Sequence, residues 1–89
     1  MSPFELRVAP GAARSLERLP GPVAAALVEF ITCVLVEQPT RVGKPITRQL
    51  SGYWSARRGA YRVVYAVDDD AKLVLVVRIE HRADVYRPL

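Results

Sequence analysis

Residues 53–86, with the sequence YWSARRGAYRVVYAVDDDAKLVLVVRIEHRADVY, form the stretch that decides the fold. Apolar and charged residues alternate along it with the period of a β-strand. Gly59-Ala60 and the acidic segment 68–71 interrupt the alternation, and both are typical of tight turns. The pattern predicts three strands, over residues 53–58, 61–67 and 72–80. Because the turns between them are short, we expect these strands to be antiparallel.

The third predicted strand contains an uninterrupted apolar run at residues 73–77. Both faces of such a strand are apolar, which is typical of a strand that is covered on both sides. We therefore expect this strand to lie in the middle of the sheet.

One further strand and two helices precede this sheet. Residues 4–8 alternate apolar and polar side chains and predict a half-buried strand, with Phe4, Leu6 and Val8 inward. Residues 12–19 place their apolar side chains on one helical face and predict a short helix that ends before a Pro-Gly pair.

A longer helix is predicted from Pro22 to the residue before Pro39. Its apolar residues recur at the spacing of one helix face: Val23, Leu27, Phe30, Ile31, Val34 and Leu35. Residues 39–50 lack a period, contain Gly43 and Pro45, and indicate a basic loop. The order β-α-α-β-β-β predicts an α+β fold in which a helix hairpin packs on a small antiparallel sheet. A chain of 89 residues has room for one core, so we expect a single domain over residues 1–89.

The composition narrows the possible partners. A net charge of +4 and a pI near 9.7 favour an acidic partner such as nucleic acid, an anionic membrane or an acidic protein. One cysteine and one histidine make neither an internal disulfide nor a zinc site, so we expect no metal and no cofactor. Neither a signal peptide nor an apolar run of membrane-spanning length is visible. We therefore expect a cytoplasmic protein without a membrane partner.

Arg62 is the most informative charged residue of the predicted sheet. Strand alternation places it on one face with the apolar residues Val64 and Ala66. An arginine among such neighbours needs an anionic partner, because an unpaired buried charge is very costly. Two interpretations remain open: a structural salt bridge, for example with a carboxylate of the turn at 68–70, or a bound phosphate.

Further basic and aromatic residues flank this strand. Arg57 and Arg58 are consecutive and point to opposite faces, so only one of them shares a face with Arg62. Arg82 and Tyr86 follow the last strand, where a guanidinium is suited to a phosphate and an aromatic ring to an unpaired base. This combination is typical of a site for single-stranded RNA. The three aspartates at 68–70 favour a solvated turn over a metal site.

The element order, the segment GYWSARRGAYRVVY and the ending HRADVYR together give the chain a family resemblance. The chain resembles the RelE family of bacterial toxins, in the RelE/ParE superfamily, across nearly its whole length. The resemblance is carried by Gly52, Trp54, Arg57, Gly59, Tyr61, Arg62, Tyr65, His81, Arg82, Val85 and Tyr86. It implies a ribosome-dependent mRNA endonuclease of a type II toxin–antitoxin system, metal-independent and neutralised by a RelB-like antitoxin.

The resemblance also implies roles for individual residues in an attack of the substrate 2′-OH on the adjacent phosphorus. Arg62 would stabilise the negative charge at phosphorus, and Arg82 would assist the phosphate and the leaving group. Tyr86 would stack on or orient a base, and His81 would serve in acid–base chemistry. Side chains expected to contact the RNA are Arg57, Arg58, Lys44 and Arg87.

One departure from the family concerns the strand before Arg62. The best-known members carry two lysines there, and this chain has Tyr53 and Ser55 instead. Neither side chain replaces a lysine as a base or as a cation. Arg57 and Lys44 are the available sources of positive charge. Arginine stays protonated, so His81 is the remaining candidate for proton transfer.

Two other functions remain open at this stage. The first is a ParE-like toxin that inhibits DNA gyrase and cleaves no RNA, although such toxins generally lack the catalytic arginines and tyrosine. The second is a non-enzymatic module that binds RNA or protein, for which the basic charge alone suffices. For a toxin, we expect the antitoxin to cover the basic face with an acidic or amphipathic segment.

Overall fold

The structure is a computed structural model that describes residues 4–47 and 52–82. Its elements, in chain order, are β1 (Glu5–Val8), α1 (Pro10–Arg18), α2 (Gly21–Phe30), α3 (Pro39–Val42), β2 (Lys44–Pro45), β3 (Trp54–Arg58), β4 (Tyr61–Asp68) and β5 (Leu73–His81). A π-helical segment, Ile31–Leu35, continues α2 without a break. The predicted α+β fold class is confirmed.

The strands form one sheet in the order β1-β5-β4-β3-β2. The hairpins β3–β4 and β4–β5 are antiparallel, as the short turns predict, while β1 pairs with β5 in parallel. The parallel pairing places Val8 opposite Val76 on the core face. Val8 nevertheless remains 38% exposed, because β1 is an edge strand, so the side chain that was predicted to point inward is only partly covered.

The core lies between the helices and one face of the sheet. It joins Ala12 of α1 and the helical residues Leu27, Ile31 and Leu35 to Val63, Tyr65, Val74, Val76 and Ile79 of the two longest strands. β5 lies inside the sheet as predicted, between β1 and β4. The prediction that it is covered on both sides is wrong for the described residues, since Leu75 and Val77 are only half-buried.

A β-bulge in the β4–β5 hairpin changes the phase of β5. Val64 faces Arg78 and Tyr65 faces Val76, so Val77 has no residue opposite it. Strict alternation would place Glu80 on the same face as Val74 and Val76, which are core residues. The extra residue reverses the alternation beyond it, and Glu80 therefore lies on the face that points away from the core.

The long predicted helix is confirmed, with a wider turn at its end. The backbone N–H of Val36 donates to the carbonyl of Ile31 at 3.2 Å, five residues earlier. This wider turn lets both Leu35 and Val36 enter the interior. Within the described ranges, none of the helices is long and apolar enough to cross a membrane.

The prediction of a loop over residues 39–50 is wrong for residues 39–45, and residues 48–50 lie outside the described residues. Pro39 begins α3 rather than a loop, because a proline fits the first turn of a helix, where its missing N–H is not needed. Lys44 and Pro45 then pair with Ser55 and Trp54 as strand β2. Two residues make too short a pattern for period-based prediction, and the segment enters the sheet because β3 otherwise has a free edge.

Candidate functional site

An open cleft of about 430 Å³ lies on the face of the sheet that points away from the core. Its lining residues are Val42, Lys44, Ser55, Arg57 and Arg62. Val42 ends α3, and three adjacent strands supply the other four, because Lys44 pairs with Ser55 across β2 and β3, and Arg57 pairs with Arg62 across β3 and β4. Directly opposite residues share a face of a sheet, so the register alone brings these three cations together.

Arg62 is half-buried and paired with a carboxylate of the neighbouring strand. Its Nε donates to Oε1 of Glu80 at 3.0 Å, and its Nη2 donates to the same oxygen at 2.5 Å. The side chains of Arg62 and Glu80 are 31% and 19% exposed. The expectation of a structural salt bridge is therefore met, but the aspartates of the 68–70 turn are the wrong partners. They lie at the opposite end of β4, whereas Glu80 lies directly across from Arg62.

Glu80 also contacts a second arginine. Its Oε2 accepts from Nη1 of Arg78 at 3.4 Å. Arg57 lies directly opposite Arg62 on the other side, so β4 places two guanidinium groups next to each other. Like charges directly opposite are destabilising, and the carboxylate of Glu80 offsets that repulsion.

The two consecutive arginines of β3 divide between the faces of the sheet. Arg57 shares the cleft face with Arg62, while Arg58 pairs with Tyr61 on the helix side. There Arg58 borders an apolar pocket of about 330 Å³ beside Leu27. Of the two, only Arg57 is thus placed to act with Arg62 within the described residues.

His81 lies on the same side as Arg58. It pairs with Tyr61, and the two rings meet edge to face with centroids 4.9 Å apart. The structure therefore separates His81 from Arg62, which lies on the other face of the sheet. Arg82 follows directly after β5, is exposed, and donates its backbone N–H to the carbonyl of Ala60 at 2.7 Å. Tyr86 and Arg87 lie outside the described residues.

Tyr53 and Ser55, which stand in place of two lysines, lie just before and within β3, and this strand has a cation beside it. Ser55 lines the cleft, and Lys44 of β2 is its direct partner. Lys44 on the adjacent strand thus lies next to Ser55, the position where the family resemblance predicts a lysine. Sequence reasoning had Lys44 in a loop and did not single out Glu80 at all. Counting residues around the β4–β5 turn without the bulge places Ile79 opposite Arg62, so the local pattern alone does not indicate Glu80.

A buried hydroxyl fixes the wall of the cleft that carries Lys44. Tyr65 is fully buried in β4 and donates its hydroxyl hydrogen to the carbonyl of Pro39 at 2.5 Å. Gly43 passes so close that a Cβ there would overlap the Tyr65 hydroxyl and lie 2.7 Å from the carbonyl oxygen of Ser55. The contact between Tyr65 and the start of α3 therefore sets the position of β2 against β3.

Tyr65→Phe is expected to lower the free energy of unfolding by about 1–2 kcal/mol near neutral pH, because the buried carbonyl of Pro39 loses its donor. Burial raises the pKa of Tyr65 to about 12, so the folded state keeps this phenol neutral after unfolded tyrosine ionises near pH 10. The contribution is complete below about pH 10 and is lost as the pH rises toward about 12. Urea unfolding should show the wild type losing about 1.4 kcal/mol more than Tyr65→Phe between about pH 8 and about pH 11.

Among the described side chains, His, Cys, Asp and Glu form no group of three that would hold a metal ion. What the cleft presents is a cationic surface, formed by guanidinium and ammonium groups, with one neutral hydroxyl. Such a surface binds phosphate and stabilises negative charge that develops on it.

Comparison with known proteins identifies the family. The chain matches the family model described as the ParE toxin of type II toxin–antitoxin system, parDE, over residues 6–86. The chain belongs to this family. The toxin is 47% identical over 85 residues to Toxin RelG of Mycobacterium tuberculosis, an alignment that covers 96% of this chain and 98% of that protein. It is also 47% identical over 85 residues to Toxin RelE of the same organism, covering 96% and 88%.

A solved structure supports the same assignment. The toxin superposes on a chain of the crystal structure of the toxin–antitoxin complex RelBE2 from Mycobacterium tuberculosis with a TM-score of 0.86. The identity is 45%, and the match covers 90% of this chain and 99% of that chain. The resemblance to RelE-type toxins that the sequence motifs indicate is thereby confirmed, and the chain is a type II toxin of the RelE/ParE superfamily.

Proposed function

We propose that this toxin is a ribosome-dependent endoribonuclease that cleaves translated mRNA in the A site. The observation that carries the proposal is the convergence of Lys44, Arg57 and Arg62 on one open cleft. Arg57 and Arg62 lie opposite each other, and Lys44 lies two residues further along the same face, so the three cations match one or two backbone phosphates of a single RNA strand. We further propose that residues 1–89 act as one toxin domain.

The reaction proceeds by attack of the substrate 2′-OH on the adjacent phosphorus. A bond forms between the 2′-oxygen and phosphorus while the 2′-OH releases its proton to solvent water, the bond from phosphorus to the 5′-oxygen breaks, and the 5′-oxygen takes up a proton. The products are a 2′,3′-cyclic phosphate and a 5′-OH. Negative charge grows on the non-bridging oxygens in the transition state, and the guanidinium of Arg62 stabilises it there. Arg57 and Lys44 hold the flanking phosphates and supply the positive charge that two lysines on β3 would otherwise provide.

We also propose roles for the other residues that the sequence indicates. Arg82 assists the phosphate and the leaving group from the end of β5, and Tyr86 stacks on a substrate base. His81 lies across the sheet from Arg62, so a role in proton transfer requires the RNA to pass over the end of β5. Arg58 contacts the RNA outside the cleft, and Arg87 is a further proposed RNA contact.

The described residues of the cleft favour charge stabilisation over proton transfer. Arginine stays protonated, and the hydroxyl of Ser55 is a neutral group of high pKa in its ordinary state, so neither is an obvious base. Holding the nucleophile in line with the leaving group is itself worth several powers of ten in rate. A ribosome that fixes the mRNA in the A site would supply this alignment, which is consistent with cleavage that depends on translation.

Cell-free translation with primer extension tests the proposal. Wild-type toxin is expected to produce new 3′ ends that fall at a constant position within codons, and to produce none on the same RNA without ribosomes. Arg62→Ala serves as the inactive comparison. If wild type generates no codon-phased ends, and the two proteins behave alike, the proposed function is wrong.

Lys44→Ala is expected to weaken binding of the toxin to ribosomes carrying a non-cleavable 2′-deoxy codon in the A site. Each lost phosphate contact should reduce the slope of log affinity against log salt by about 0.7–0.9. Lys72→Ala is the matched control, because Lys72 lies in the β4–β5 turn, at the end of β4 away from Arg62, and removes the same charge. Equal slopes for the two variants would remove Lys44 from the RNA-binding surface.

A second part of the proposal concerns the partner. The solved structure most useful for comparison is described as a toxin–antitoxin complex, RelBE2. We propose that this toxin, too, is neutralised by a RelB-like antitoxin and that both act in the cytoplasm, where mRNA is translated. An acidic antitoxin segment that covers the cleft would block the RNA surface. Co-expression with the product of an adjacent small acidic reading frame should restore growth and yield a complex on size exclusion.

The alternative function is inhibition of DNA gyrase, and the description of the matching family as the ParE toxin favours it. A gyrase supercoiling assay separates the two functions. Inhibition of supercoiling by wild type and by Arg62→Ala alike, without RNA cleavage, would support the ParE-like activity. Ribosome binding with neither activity would indicate a non-enzymatic module.

A further inference from the structure

Glu80 holds Arg62 by one edge of its guanidinium. Oε1 of Glu80 accepts from Nε at 3.0 Å and from Nη2 at 2.5 Å, both of which lie on the same side of the planar group. The other amine, Nη1, makes no hydrogen bond to the described residues, and Arg62 lines the open cleft. The carboxylate thus occupies the Nε edge and leaves the Nη1 end available to a phosphate.

The environment of Glu80 makes this arrangement rigid. Glu80 is 19% exposed, lies in β5 directly opposite Arg62, and also accepts from Arg78 through Oε2 at 3.4 Å. The bulge at Val77 is what turns Glu80 to this face of the sheet. On the other side of Arg62 lies Arg57, whose charge would push the guanidinium away without a carboxylate to hold it.

We propose that Glu80 is a positioning residue that fixes the guanidinium of Arg62 for phosphate stabilisation. This inference rests on the proposed endoribonuclease function. A carboxylate on a central strand sets both the rotamer of Arg62 and the direction of its free amine, so no reorganisation is needed when charge develops on the phosphorane. Glu80 does not touch the RNA and acts only through Arg62.

The same contacts also suit a competing role for Glu80. In that role its carboxylate takes the place of a phosphate and inhibits the toxin when no RNA is bound. The geometry favours positioning, because an anion that is held bidentately accepts two parallel N–H···O bonds on two different oxygens. Glu80 instead takes the Nε–Nη2 edge with a single oxygen. The two roles predict opposite changes in rate when the carboxylate is removed.

Glu80→Ala is expected to lower the single-turnover cleavage rate on programmed ribosomes about 10–100-fold, with the KM for those ribosomes changed less than about threefold. Glu80→Gln keeps an oxygen that accepts from Nε and Nη2, so its rate should fall only about 3–10-fold. In an Arg62→Ala background, Glu80→Ala should lower the rate no further, because a residue that acts through Arg62 has nothing left to position. Glu5→Gln is the matched control, since it neutralises a carboxylate of the exposed Glu5–Arg7 pair on the far edge strand.

An NMR measurement tests the positioning role of Glu80 independently of the proposed endoribonuclease function. The Nε–Hε cross-peak of Arg62 in a ¹H–¹⁵N spectrum, assigned by its absence in Arg62→Lys, should be sharp in wild type and in Glu80→Gln. In Glu80→Ala it should broaden or move to the position of a solvated arginine. If this holds while wild type cleaves no RNA, the proposed function fails but the positioning stands.

Three results would overturn the inference. The first is faster cleavage or tighter binding in Glu80→Ala, which would show that Glu80 competes with phosphate. The second is a further loss of rate in the Arg62→Ala background, which would show an independent role. The third is an unchanged Arg62 cross-peak in Glu80→Ala, provided that circular dichroism shows the variant folded.

Discussion

Replacing Arg62 with alanine is expected to lower the single-turnover rate of mRNA cleavage by about 10²–10³-fold, the usual loss when one transition-state donor is removed. Arg62 is the cation that the fold restrains most, with two hydrogen bonds to Glu80 and a half-buried position on the central strand β4. Its loss removes the charge that is aimed at the scissile phosphate. The rate is measured under single-turnover conditions on ribosomes with a defined A-site codon.

Two further variants test whether the loss of cleavage rate is specific to the guanidinium of Arg62 in the cleft. Arg62→Lys keeps the charge but not the planar fork, so it should retain only part of the activity. Arg7→Ala removes an exposed arginine from the edge strand β1, away from the cleft, and should cleave like wild type. A folded Arg62→Ala toxin that cleaves within about threefold of wild type would show that this cleft is not the catalytic centre.

Gly43→Ala is expected to lower the free energy of unfolding by about 2–4 kcal/mol, combining the cost of overpacking with damage to a buried hydrogen bond. The added methyl group would overlap the hydroxyl of Tyr65 and lie 2.7 Å from the carbonyl oxygen of Ser55. Both obstacles belong to rigid parts of the fold, a buried ring and the backbone of β3. The strand β2 must therefore move, and Lys44 moves with it out of register with Ser55.

Chemical denaturation of Gly43→Ala, compared with Gly11→Ala, measures this effect. A Cβ at Gly11 meets nothing within 4 Å, and this glycine lies in the first turn of α1, so its replacement should be neutral or slightly stabilising. Adding Tyr65→Phe to Gly43→Ala should recover part of the loss, because it removes the hydroxyl that the methyl group strikes. A Gly43→Ala protein within about 0.5 kcal/mol of wild type would mean that the cleft wall is more adaptable than the packing indicates.

Much of the fold follows from local pattern. The alternation in residues 53–86 predicts β3, β4 and β5 with ends that differ by at most one residue from the observed ones. The spacing from Val23 to Leu35 predicts the long helix, although its wider last turn depends on packing. The apolar neighbours of Arg62 correctly indicate an arginine that needs an anionic partner. These features can be predicted locally, because the periods of strands and helices depend on the order of residues within one continuous segment.

Only some of the residues that line the cleft can be predicted from the local sequence pattern. Arg62 could be named from alternation, but alternation left open whether Arg57 or Arg58 shares its face, and Lys44 seemed to lie in a loop. The pairing of β2 with β3 depends on hydrogen bonds across an edge, which leave no periodic trace in a two-residue strand.

The sequence by itself determined an α+β fold with three antiparallel strands. It also determined the motifs that are typical of a RelE-type toxin, and it showed that Arg62 needs an anionic partner. Only the tertiary structure decided which anion that is and which cations join it. Register placed Arg57 rather than Arg58 next to Arg62, and the bulge at Val77 turned Glu80 from the core face to the cleft. The physical reason is that a shift of one residue exchanges the two faces of a strand, and such a shift is set by pairing between distant segments rather than by local preference.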